Sequence, residues 1–304
     1  MAIVDRPTSE LPGKLRGLHL FHYGGAPCAQ RVRFVLAEKG IRRGPDVPWR
    51  SDAHKHVEAP AGSYIGRPIS LPRQVNLSEE YAAIHPNLVV PALVHDGVLH
   101  IESVDIMNYV DRELEGPALV PDGAPGDACR ALVARAAELQ TAVRHVTYRW
   151  SLGGIAKLSP SKQAELQRID SPDSPEKLAE FYRRFSTGDI SEDEFAGHVS
   201  NLTEGFREVE TLLADGRTWL CGETFTMADI IWTVKVQRID EAGYPFATSF
   251  PLLAAWFDRA RARPGFKEAI GRDLGVLSTF LRVRAAVQNV FGRGLQGLAT
   301  GAGA

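Results

Sequence analysis

The feature that most constrains this 304-residue chain is a proline set inside a hairpin. Val89-Val90-Pro91-Ala92-Leu93-Val94 and Val98-Leu99-His100-Ile101 are two apolar runs joined by His95-Asp96-Gly97. An Asp-Gly pair between such runs predicts a β-hairpin. Pro91 conflicts with that reading, because a proline in a sheet loses a ladder hydrogen bond. A cis Val90–Pro91 bond resolves the conflict by turning the Val90 backbone outward.

Elements on either side extend the pattern. Leu18-His19-Leu20-Phe21 reads as a buried strand ending in Tyr23-Gly24-Gly25, and Pro27 suits the first turn of a helix that stops at Gly40. Residues 44–76 are rich in proline and glycine and are taken as an insertion, with a second strand expected near Val47–Arg50. Ser78-Glu79-Glu80-Tyr81 looks like a short capped helix, and Glu102–Leu114 a longer one. The order β-α-(β)-α-β-β-α is that of a thioredoxin-like α/β domain, placed at 16–115. Turn-rich 116–126 makes a linker, and 127–292 reads as an all-helical domain, with helices near 127–152, 192–214, 227–242, 250–263 and 275–291. Residues 1–15 and 293–304 are expected to be flexible termini.

Composition excludes several classes of function. The chain is 44% apolar and 24% charged with a net charge of −2, so nothing global calls for nucleic acid or a membrane surface. Arg259, Arg261 and Arg263 read as a solvated helix face. Cys28, Cys129 and Cys221 are odd in number and far apart, which fits neither a disulfide framework nor a zinc site and suggests a reducing compartment. No metal is expected. With no apolar run approaching a span of about 20 residues and no secretory h-region, the expected location is cytoplasmic.

Two segments carry a family resemblance: Val90-Pro91 with Glu102-Ser103, and Trp219-Leu220-Cys221-Gly222 followed by Phe225-Thr226-Met227-Ala228-Asp229. In order and spacing they resemble the cytosolic glutathione transferases, from Leu18 to Phe266. The second segment is a folding element, since Thr226 and Asp229 are placed to form a capping box. The first implies chemistry. By resemblance, the Val90 backbone beside Pro91 pairs with the cysteinyl part of glutathione. Ser103, at a helix N-terminus, holds the γ-glutamyl carboxylate, and Glu102 fixes the amino end. A plain N-cap is the competing role for Ser103. The glycyl carboxylate is expected at Arg73, Gln74 or Asn76, each of which could equally be a solvated loop residue.

These enzymes make the glutathione thiolate available near neutral pH. Aligned on Pro27, the serine of the serine-type classes falls at Gly25 and the cysteine of the omega-like classes at Ala26, and neither carries a functional group. Three substitutes compete: the Tyr23 hydroxyl, a mixed disulfide at Cys28, or backbone N–H groups around Ala26–Cys28 with the helix dipole. Cys28 is also readable as a small inward-facing residue.

Gly24–Arg33 and Tyr81–Asn87 resemble a proteobacterial branch that includes β-aryl etherases of lignin breakdown and reductive dehalogenases. That implies attack of glutathione thiolate on a small aromatic substrate bearing an aryloxy or halogen leaving group. Such a substrate is expected between the domains, against Arg144, His145 and Tyr148, with His145 able to steady a departing phenolate. The plainer alternative is a polar helix face with Trp150 in the core. Two function classes follow: an active transferase, or a catalytically silent subunit that stabilises an active partner. A dimer, of like or unlike chains, is implied in either case.

Overall fold

The computed structural model describes residues 3–4, 7–50, 57–170 and 174–299. They fall into two compact units, one of 1–117 with 157–189 and one of 118–156 with 190–304.

The first unit opens with the helical turn α1 (Leu11–Lys14), then β1 (Leu18–His22), α2 (Pro27–Glu38), β2 (Arg42–Asp46) and β3 (Ser63–Pro68). It continues with α3 (Glu79–Ala82), β4 (Ala92–His95), β5 (Val98–His100) and α4 (Ser103–Glu113). The sheet order is β2-β3-β1-β4-β5, with β1 parallel to β3 and antiparallel to β4. Asp96 and Gly97 both have positive φ, as a tight type I′ hairpin turn requires. The Val90–Pro91 bond is cis, and pairing of β4 begins only at Ala92.

All five residues of β1 are buried, two of them histidines, so each histidine needs polar partners. His19 Nε2 lies 2.9 Å from the Arg16 carbonyl and 3.1 Å from that of Val57. His22 Nδ1 accepts from Arg33 at 3.1 Å while its Nε2 faces Asp46 at 3.4 Å. Phe21, Ala26, Ala29, Tyr81, Val90, Ala92 and Val94 share one core beside this strand.

The stretch read as an insertion differs from expectation. No strand forms at Val47–Arg50; instead β2 precedes it and β3 follows it. Apart from Pro45, Arg42-Arg43-Gly44-Pro45-Asp46 has no apolar side chain to signal a strand, and it is tolerated because β2 lies at the sheet edge. Residues 51–56 of that stretch lie outside the described residues. Parts of the expected flexible termini are held in place: Leu15 is fully buried and the Val4 N–H donates to Leu99 at 3.0 Å. Leu295 is likewise buried, whereas residues 1–2, 5–6 and 300–304 lie outside the described set.

Two helices absent from the sequence expectation, α7 (Pro160–Ile169) and α8 (Leu178–Thr187), pack onto this unit. Leu158, Leu166 and Leu178 form a core with Leu77 and Leu88, and the Lys162 ammonium donates to the Leu77 carbonyl at 2.6 Å.

In the second unit the expected helix 127–152 is divided into α5 (Gly123–Glu138), α6 (Gln140–Val146) and a π-helical turn, Thr147–Leu152. The rest comprises α9 (Glu192–Leu213), α10 (Met227–Asp240), α11 (Phe246–Ser249), α12 (Pro251–Ala262), α13 (Pro264–Phe266), α14 (Arg272–Val290) and α15 (Leu295–Ala299). The expected capping box is present. Asp229 also accepts from the Leu220 N–H at 2.9 Å and from Trp256 Nε1 at 3.0 Å, tying three segments to one buried carboxylate. Among the described residues, no helix is long and apolar enough to cross a membrane.

Candidate functional site

Helices α2 and α4 and the cis-proline turn build the site in the first unit. Since β4 begins at Ala92, Val90 stands outside the ladder, and no hydrogen bond reaches its backbone among the described residues. The backbone next turns sharply at Glu102, which has φ 61° and ψ 110° at the N-cap of α4. A non-glycine residue held there costs about 1–3 kcal/mol and persists only where its surroundings fix it. Asn87 Nδ2 does so in part, donating to Glu102 Oε1 at 2.8 Å.

Ser103 is the first residue of α4 and is buried. Its hydroxyl accepts from Arg31 Nε at 3.0 Å and also from Nη2 of the same guanidinium. Arg31 is only 6% exposed, and no carboxylate pairs with it among the described residues. A buried cation without a counter-ion is costly, and here it lies against a helix N-terminus that also favours an anion. Sequence reasoning missed Arg31; the signal available was an arginine one turn into α2, on the side that meets α4.

The N-terminus of α2 has no side-chain cap. Ala26 is the N-cap and Pro27 follows at N1, so the N–H groups of Cys28 and Ala29 begin the helix without intrahelical partners. The Tyr23 ring lies against Gly25: a Cβ built there would stand 3.0 Å from Tyr23 Cε1, so a side chain at 25 requires the ring to give way. Cys28 is half-buried and its sulfur accepts from Arg31 Nη2 at 3.4 Å. Cys28 thus lies partly exposed beside Arg31.

Other predicted residues fall out differently. Arg73 is exposed and Gln74 half-buried in a turn, with Gln74 at φ 56°. Asn76 is buried and donates to the Leu88 carbonyl at 2.8 Å, a structural contact. In the second unit, Arg144 and Tyr148 are half-buried, whereas Trp150 is in the core with its Nε1 donating to the Arg293 carbonyl at 3.3 Å. His145 is buried and turned toward α9, its Nε2 4.0 Å from Glu194 Oε1.

Comparison with known proteins bears on the family and the fold. Residues 20–118 match the family profile described as glutathione S-transferase, N-terminal domain, and residues 192–259 the corresponding C-terminal domain. The chain is 27% identical over 288 residues to a 2,5-dichlorohydroquinone reductive dechlorinase of Sphingobium indicum, covering 83% of this chain and 81% of that protein. It is 22% identical over 267 residues to glutathione S-transferase TCHQD of Arabidopsis thaliana, covering 84% and 90% respectively. The structure resembles beta-etherase LigF from Sphingobium sp. strain SYK-6 with TM-score 0.69 at 21% identity, covering 84% of this chain and 99% of that one.

Proposed function

The chain belongs to the glutathione S-transferase superfamily, whose cosubstrate is glutathione, and on that premise we propose that it directs the glutathione thiolate at an aromatic electrophile. The observation that carries this reading is the buried Arg31 against Ser103, with no carboxylate paired to it among the described residues. The γ-glutamyl carboxylate supplies the missing anion, Glu102 takes the amino end, the Val90 backbone pairs with the cysteinyl unit, and Arg73 or Gln74 meets the glycyl carboxylate.

The Cys28 sulfur, beside Arg31, then faces the γ-glutamyl carboxylate rather than the thiol. Thiolate is favoured instead by the N–H groups that open α2, which have no intrahelical partners, and by its dipole. The thiolate attacks carbon bearing an aryloxy or halide group; a C–S bond forms, the C–O or C–halogen bond breaks, and phenolate or halide departs. Likeness to the dechlorinase and to the β-etherase supports the choice of leaving group. Arg144 and Tyr148 are the residues we assign to the second substrate.

Calorimetric titration of the purified chain with glutathione tests the reading, with Ser103→Ala as control. Binding in the micromolar to low-millimolar range, lost in the control, is expected, followed by release of a phenol from a β-aryl ether. The Tyr23 ring against Gly25 favours a second reading, a glutathione-binding subunit without turnover; binding with no product from ethers or halides would select it.

A further inference from the structure

Helices α6 and α9 of the second unit bring together three side chains of metal-ligating type, His145, Glu194 and His198. Glu194 and His198 are four residues apart and so share one face of α9. The first turn of that helix is fixed by Ser191, whose hydroxyl accepts from the Glu194 N–H at 3.1 Å. His145 faces them from α6. Its Nδ1 lies 2.9 Å from the Thr141 carbonyl, one turn back, an acceptor that calls for the proton on this nitrogen and leaves Nε2 turned to Glu194. A histidine oriented through its other ring nitrogen by a backbone carbonyl is the usual support for a metal ligand.

The three ligand atoms lie within 4.8 Å of one another, and His145 Nε2 is 4.0 Å from Glu194 Oε1. The His198 ring stacks on His145 at 4.0 Å between centroids. Phe195 packs edge-on against the buried His145, while Glu194 and His198 are only half-buried and leave an approach from outside.

We propose that His145, Glu194 and His198 bind a first-row divalent cation of the Zn2+ type, through two imidazole nitrogens and one carboxylate. Tetrahedral zinc with bonds of about 2.0–2.2 Å sets its ligand atoms roughly 3.3 Å apart. The observed spacing closes to that value by side-chain rotation, chiefly by His198 leaving its stack. A fourth position remains for water. The ion would clamp α6 to α9, and the site is independent of the glutathione-binding residues assigned above.

The test uses the full chain, stripped with a chelator and titrated with Zn2+ alone. One ion per chain is expected, with affinity at least 100-fold tighter than in His198→Ala. Co2+ in place of Zn2+ should give visible ligand-field absorption that disappears in Glu194→Gln, a nearly isosteric change that keeps the fold if His198→Ala does not. Circular dichroism of the metal-free variants checks that fold. Wild-type binding no tighter than millimolar, or variant titrations that superimpose on the wild type, would overturn the proposal.

Discussion

Replacing Arg31 with Met separates binding from stability in a way that few other changes in this chain can. The side chain is buried, two of its nitrogens converge on the Ser103 hydroxyl, and no carboxylate pairs with it among the described residues. If its counter-ion is the ligand, removing the guanidinium costs the complex one charge-assisted hydrogen-bonded contact, about 1.5–3 kcal/mol. At 1.4 kcal/mol per decade, glutathione should bind about 10- to 150-fold more weakly. The ligand-free chain should respond in the opposite sense. Met fills similar volume and removes an uncompensated buried charge, so thermal stability should hold or rise. Calorimetry with glutathione and a thermal melt without it, on the same preparation, read both arms. Arg31→Lys should fall between, since it keeps the charge and loses the planar fork. Glutathione affinity within about twofold of wild type, together with a lower melting point, would refute the reasoning and make Arg31 a structural cation.

Other consequences follow from the same geometry. Cys28→Ser should leave glutathione turnover within about threefold, because the thiolate is assigned to backbone N–H groups that the substitution keeps; loss of a disulfide-linked intermediate together with most of the activity would instead implicate the Cys28 sulfur. Asp229→Ala removes the acceptor for Leu220, Thr226 and Trp256 and should destabilise the chain by about 3 kcal/mol, read by urea denaturation. His85 is fully buried, and burial lowers its pKa to about 3. It therefore folds neutral, and the unfolded chain takes up a proton as pH falls below about 6.5. Stability is retained above that pH and lost progressively toward pH 3, with about 2 kcal/mol lost between pH 7 and pH 5. His85→Leu should remove that part of the slope, and an unchanged slope in urea titrations would show that His85 is not its source.

Much of the fold was legible because local rules and the final structure agree. The Asp96-Gly97 turn, the Ser78 cap and the Thr226–Asp229 box each depend on neighbours within a few residues, so the sequence alone carries them. Strand β2 was not legible, because an edge strand made of arginine, glycine, proline and aspartate owes its existence to β3 beside it. Helix α7 has a single buried apolar residue, Leu166, whose core is completed by Leu77 and Leu88, about 80 to 90 residues earlier, whereas α8 carries a full apolar stripe at Leu178, Phe181 and Phe185 that the sequence did offer.

The same division applies to the chemistry. The sequence by itself determined the family, the cis-proline turn and the serine at the head of α4, because each is a short segment whose backbone demands are written in its own residues. Only the tertiary structure decided what surrounds them: that Arg31 reaches Ser103 across 72 positions, and that His145 meets Glu194 and His198. Such pairings carry no local pattern. They arise when packing helices bury side chains against one another, and a charge or an imidazole acquires its role from the partner it finds there.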